Sequence, residues 1–94
     1  MDHFFNLFFY TVALTVLAKC HLSMGHWMDA MKSSEIVLSR DKNNVAAILV
    51  KGESLYNTCF FEHALVLFHR GKTLSPDNED FRLGIQKCHK TIGI

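Results

Sequence analysis

Residues 51–76 read KGESLYNTCFFEHALVLFHRGKTLSP and carry the clearest structural signal in this chain of 94 residues. Gly52 and Ala64 are small enough to let two helices cross closely, and Pro76 stops a helix because it lacks a backbone amide donor. Large apolar residues lie between these positions, and they are Leu55, Tyr56, Phe61, Phe68 and Leu74. The pattern predicts two α-helices that are joined by a turn near residues 57–59.

Equivalent residues recur along the chain every 34 positions. The aligned pairs include Leu14 and Ile48, Ala18 and Gly52, Leu22 and Tyr56, Trp27 and Phe61, and Ala30 and Ala64. The tripeptide of residues 19–21 also appears again at residues 87–89, so that Cys20 and Cys88 share one repeat position and are expected to share a packing role. A period of 34 residues is that of the tetratricopeptide repeat (TPR), an antiparallel helix pair, and the chain resembles this family.

The repeat divides the chain into four parts. Residues 1–10 are an apolar N-terminal segment, 11–44 a first TPR, 45–78 a second TPR, and 79–94 a C-terminal capping helix that starts a third repeat. The first TPR is degenerate, because Lys42 and Ser34 replace the proline and the aromatic residue that the pattern expects. We therefore expect an all-α helix-turn-helix solenoid with two helix pairs and a C-terminal helix.

Composition and motifs exclude several classes of function. Ten basic and nine acidic residues give a net charge of +1, too little for nucleic-acid binding. The three cysteines are an odd number without a close pair, which is typical of reduced thiols in the cytoplasm. Cys59 and His63 are four residues apart, but structural zinc sites normally pair two cysteines. Since phosphate-binding loops and nucleophile elbows are also missing, we expect no enzyme activity, catalytic residue, cofactor, metal or small-molecule substrate.

The apolar N-terminus leaves one alternative open. Residues 4–18 form about fifteen apolar positions, fewer than the ~20 that span a bilayer, so a membrane span is not expected. A secretory signal would have positive charge before the apolar run, and Asp2 and His3 stand there instead. The alternative is a secreted or membrane-anchored small helical protein that uses residues 4–18 as its signal or anchor.

A narrower resemblance covers residues 14–92. The sequence at residues 51–56, 61–71, 74–77 and 81–87 looks like that of the TPR subunits of outer dynein arm docking complexes. His69, Arg70 and Gln86 contribute to this likeness although the repeat itself does not demand them. The resemblance implies a protein-binding scaffold in the cytoplasm, at the cytoskeleton of the ciliary axoneme. Its implied partners are other docking-complex subunits and dynein arm or microtubule-associated proteins.

The first helix of each TPR lines the concave face of the stack, where partners bind. By repeat position, the predicted partner-binding residues are Lys19, Leu22, Ser23, Leu49, Glu53, Tyr56, Asn57, Leu83 and Lys87. Tyr56 is the expected anchor, because aromatic residues with a polar tip dominate interface energies. Lys19, Glu53 and Lys87 are expected to alternate in charge along the groove and to set the register of a partner.

Overall fold

A computed structural model of the chain describes residues 2–93, and it describes the side chains of residues 5–93. Its five helices are α1 (Asp2–Ser23), α2 (Trp27–Arg40), α3 (Val45–Asn57), α4 (Phe61–Leu74) and α5 (Glu79–Ile92). Within residues 2–93 there is no β-strand. The prediction of an all-α fold with two helix pairs and a C-terminal helix is confirmed.

The helices stack in two layers. Each helix packs against the helix that follows it in the chain, and the first helices also contact one another, α1 with α3 and α3 with α5. In the part of the chain that the structure describes, no Cα atom of α2 lies within 8 Å of a Cα atom of α4. The first helices therefore form a closely spaced inner layer and the second helices a wider outer layer, which gives the stack its curvature.

Helix starts follow the repeat. Asn44 and Asn78, one period apart, precede α3 and α5, and their side-chain oxygens accept hydrogen bonds from the amides of Ala47 at 3.0 Å and Asp80 at 2.9 Å. Both are N-caps of the kind that asparagine forms well. The equivalent residue of the first repeat is Tyr10, which has no such cap to offer. As a result α1 continues through this position and runs for 22 residues.

Helix ends follow the same period. One or two residues after the first helix of each repeat, a residue has a positive φ, and these residues are Gly25 at 76°, Cys59 at 72° and Gly93 at 89°. Glycine adopts this left-handed conformation without steric cost, whereas a residue with a β-carbon does not. Cys59 therefore introduces local strain into the turn between α3 and α4.

The two repeats fill their interiors with different sizes of side chain. The buried ring of Phe68 lies between Gly52 and Gly84, and a β-carbon at either glycine would come within 2.8 Å of it. In the first repeat, Ser34 takes the place of Phe68 and is also fully buried. Ala18 and Val50 stand where the second repeat has the two glycines, so larger neighbours compensate for the smaller central residue.

Cys20 and Cys88 do not share a packing role, and this expectation is wrong. Cys88 is fully buried in the cluster formed by α3, α4 and α5, whereas Cys20 is exposed. Val16 differs in the same way from its equivalent Val50, since 55% of Val16 is exposed and only 2% of Val50. The reason is that α2 and α4 cover this face of α3 and α5, while no helix covers it on α1 within residues 2–93.

The length of the apolar N-terminal helix also differs from expectation. Residues 5–23 form a continuous helical segment of 19 residues with a mean hydropathy of 1.4, long and apolar enough to cross a membrane. The expected length of about fifteen residues is too short, because the helix continues beyond the apolar run of residues 4–18. Length and composition are weak evidence for a span, since signal sequences and core helices share them.

Candidate partner-binding surface

A cleft of about 720 Å³ opens on the inner layer, between α1, α3 and the start of α5. Five predicted partner-binding residues line it, namely Lys19, Leu22, Ser23, Leu49 and Glu53. The remaining lining residues are Val45, Ala46, Val50, Asn78 and Asp80. The first helices of successive pairs therefore bring together residues that are up to 61 positions apart in the chain (Lys19 to Asp80). We call this the inner cleft.

The inner cleft has an apolar floor and a charged rim. Leu22 and Leu49 are half-buried and expose part of their side chains toward it. Lys19 on α1 and Asp80 on α5 are exposed and place opposite charges at its two sides. This arrangement suits a partner segment that inserts an apolar side chain and orients itself by polar groups on either side.

Glu53 and Lys87 form an ion pair rather than two separate charges on the groove. Nζ of Lys87 donates to Oε2 of Glu53 at 2.6 Å, and the two side chains are 36% and 24% exposed. The residues are one period apart, so they occupy neighbouring positions on α3 and α5. Two of the three charges that were expected to alternate along the groove therefore neutralise each other. In the part of the chain that the structure describes, Lys19 is in no ion pair.

Tyr56 makes its contacts inside the fold. Its hydroxyl shares a hydrogen bond of 2.7 Å with Thr91, and its ring meets that of Phe61 edge to face with centroids 5.1 Å apart. Nζ of Lys87 lies 4.4 Å from the centre of the same ring. The side chain thus joins α3, α4 and α5 and does not line the inner cleft. Packing accounts for its position without a partner.

Asn57 and Leu83 also lie outside the inner cleft. Both are exposed, and Nδ2 of Asn57 donates to the carbonyl oxygen of Glu53 at 2.8 Å. Asn78 and Asp80, by contrast, line the cleft although repeat mapping did not select them. The asparagine after Pro76 was a recognisable helix cap, and that signal could have placed the start of α5 beside the first helices.

Comparison with known proteins gives a consistent result. Over 79 residues, which are 84% of this chain, it is 44% identical to outer dynein arm-docking complex subunit 4 of Homo sapiens and 42% identical to that of Mus musculus. Over the same length it is 39% identical to the subunit of Xenopus laevis. No family model matches the chain.

The match covers most of this chain but a small part of each relative. The chain spans 12% of the length of the human and mouse proteins and 15% of the Xenopus protein. The 79 aligned residues therefore correspond to one short section of much longer proteins. The chain is homologous to a segment of the outer dynein arm-docking complex subunit 4 proteins.

Proposed function

We propose that this chain is a non-catalytic protein-interaction module that takes part in docking outer dynein arms onto ciliary doublet microtubules. The proposal rests on its homology to proteins that are named as subunits of an outer dynein arm-docking complex. It acts in the cytoplasm, at the cytoskeleton of the ciliary axoneme. Its partners are other docking-complex subunits and dynein arm or microtubule-associated proteins.

The inner cleft is the surface through which the module acts, and its shape and lining are the observations that support this. A helix or extended segment would lie across α1 and α3 and bury an apolar side chain against Leu22 and Leu49. Lys19 and Asp80 at the two sides would fix the direction of the segment. Such a module holds a partner in place and needs no reacting group.

A charge reversal at the rim tests the inner cleft. Lys19→Glu should weaken capture of docking-complex subunits from ciliary extract, identified by mass spectrometry, by about tenfold if the charge is desolvated by the partner. Lys32→Glu makes the same change on α2 in the outer layer and is the matched control. Equal capture by both variants, with unchanged helix content in circular dichroism, would refute the assignment of this surface.

Membrane anchoring by α1 is a second candidate function, favoured by the exposure of its apolar residues. Phe5, Phe8 and Phe9 are each more than half exposed. An anchor would bury these side chains in lipid. If α1 is an anchor, the chain should float with neutral phosphatidylcholine vesicles in a density gradient. Phe8→Glu should abolish flotation if the anchor exists. A chain that does not float, with an uncleaved N-terminus by mass spectrometry, excludes this function.

A further inference from the structure

Three side chains with metal-binding groups converge at the turn between α1 and α2. They are His21 in the last turn of α1, His26 immediately before α2, and Asp29 in the first turn of α2. One potential ligand atom from each lies within 4.8 Å of those of the other two. We propose that these residues bind a single zinc ion, which joins α1 to α2.

The backbone of the turn brings the two imidazoles together. Gly25 adopts a positive φ of 76°, and the amide of His26 donates to the carbonyl oxygen of His21 at 2.8 Å. The two rings consequently lie 5.9 Å apart between their centroids. Because main-chain contacts hold this geometry, zinc binding does not have to fold the turn first.

His21 has a ring nitrogen that the fold leaves without a partner. Its Nδ1 is buried, and among residues 2–93 no hydrogen-bond partner reaches it. Buried polar atoms are nearly always satisfied, so an exception of this kind calls for an explanation. Coordination of zinc through this Nδ1 would supply one, because the metal ion would then take the place of the missing hydrogen-bond partner.

The donor set and the distances fit zinc. Zinc takes imidazole nitrogen and carboxylate oxygen at about 2.0–2.2 Å, so ligand atoms around a tetrahedral ion lie about 3.4 Å apart. Closing the triangle from 4.8 Å requires shifts of about 1 Å, and His26 and Asp29 are exposed and have room to make them. Three protein ligands leave the fourth position to water. Magnesium and calcium prefer oxygen ligands and do not suit two imidazoles.

Favourable and unfavourable electrostatic effects on a bound cation offset each other at this turn. His21 lies at the C-terminal end of α1, where the helix dipole favours a cation, whereas His26 and Asp29 lie at the N-terminal end of α2, where it does not. The carboxylate of Asp29 offsets that second effect. A zinc ion here would strengthen the first helix pair, which forms with α3 a buried cluster of small and medium residues, Ala18, Ala30 and Val50.

The second repeat provides a matched control within the same chain. One period after His21, His26 and Asp29 stand Leu55, Phe60 and His63, so only one of these three positions keeps a metal-binding group. His63 is exposed in the first turn of α4, as Asp29 is in α2. A variant at His63 therefore removes a histidine from the equivalent place without touching the proposed site.

Titration of the 94-residue protein with zinc chloride in a calorimeter tests the proposal. We expect one zinc ion per chain, with affinity reduced at least about tenfold by His26→Ala and by Asp29→Asn and unchanged by His63→Ala. His26 is exposed and makes no side-chain cap, so its loss should not unfold α2. The ring nitrogen signals of His21 in NMR spectra should shift on zinc addition.

The exposed thiols are the main competing ligands, and Cys20→Ser and Cys59→Ser separate their contribution. Zinc binding that persists in both serine variants and is lost in His26→Ala supports the site. Absence of binding overturns the proposal. Binding that depends on a cysteine or on His63 and is indifferent to His26 overturns it as well.

Discussion

Gly71 and Phe81 fit together as one unit, because the ring of Phe81 occupies the space where a β-carbon of residue 71 would lie. One period earlier the sizes are exchanged, with Val37 and Ala47 at the equivalent positions, both fully buried. At the interface between a second helix and the following first helix, the larger residue thus lies on the first helix in one case and on the second helix in the other. This relation explains how a degenerate repeat can pack as well as a regular one.

The exchange predicts a non-additive pair of substitutions. Gly71→Val should destabilise the protein by about 1–3 kcal/mol through overpacking, and Phe81→Ala by about 3–5 kcal/mol through a cavity. The double variant should lose at least about 1 kcal/mol less than the sum, since valine fills part of the space left by phenylalanine. Urea denaturation followed by circular dichroism measures all three. Strict additivity would mean that the two positions do not share one volume.

Cys59 should be replaceable by glycine with a gain in stability. Its φ of 72° costs a residue with a β-carbon about 1–2 kcal/mol, partly offset by the greater freedom of glycine in the unfolded chain. We expect Cys59→Gly to stabilise by about 0.5–1 kcal/mol. Gly25→Ala is the mirror experiment at the equivalent turn and should destabilise the protein. A destabilised Cys59→Gly variant would show that the thiol makes a contribution larger than the strain.

The three thiols should react at different rates. Cys20 and Cys59 are exposed, whereas Cys88 is buried and burial raises the pKa of its thiol, which lowers the fraction of reactive thiolate. A thiol reagent followed by mass spectrometry should label the first two quickly and Cys88 only after denaturant is added. Fast labelling of Cys88 in the native protein would contradict its place in the core of α3, α4 and α5.

Glu79 at the start of α5 should titrate below the usual range of glutamate. The hydrogen bonds from Arg82, at 2.6 and 2.8 Å, and the charge of its guanidinium lower the pKa of this carboxyl. Because the folded pKa is the lower one, any stability from this pair is present above the ordinary glutamate pKa and lost as pH falls through the lowered value. An NMR pH titration measures the shift, and Arg82→Gln should return it toward normal. An unchanged titration in that variant would exclude Arg82 as the cause.

Much of the fold could be predicted from the period of 34 residues. The wrong predictions about burial have a common physical cause. Repeat position says which face of a helix a residue occupies, but burial depends on whether another helix covers that face. Cys20 was misjudged for this reason. Tyr10 stands where the later repeats have a capping asparagine, and this difference in sequence indicates that α1 continues through position 10. The length of the apolar run alone did not indicate it.

The candidate surface shows the same limit. Repeat position placed Lys19, Leu22 and Leu49 correctly on the inner layer, since all three line the inner cleft. It did not reveal that residues one period apart on neighbouring helices reach each other, which is how Glu53 and Lys87 come to form a pair. Side-chain reach between helices is a property of the assembled stack.

Photo-crosslinking from the rim of the inner cleft tests the central claim most directly. A photoreactive amino acid at position 19 on α1 is compared with the same residue at position 32 on α2, in ciliary extract. The account predicts crosslinks from position 19, and none above background from position 32, to docking-complex, dynein arm or microtubule-associated proteins identified by mass spectrometry. Crosslinks to such proteins from position 32 alone, or from neither position, would contradict it.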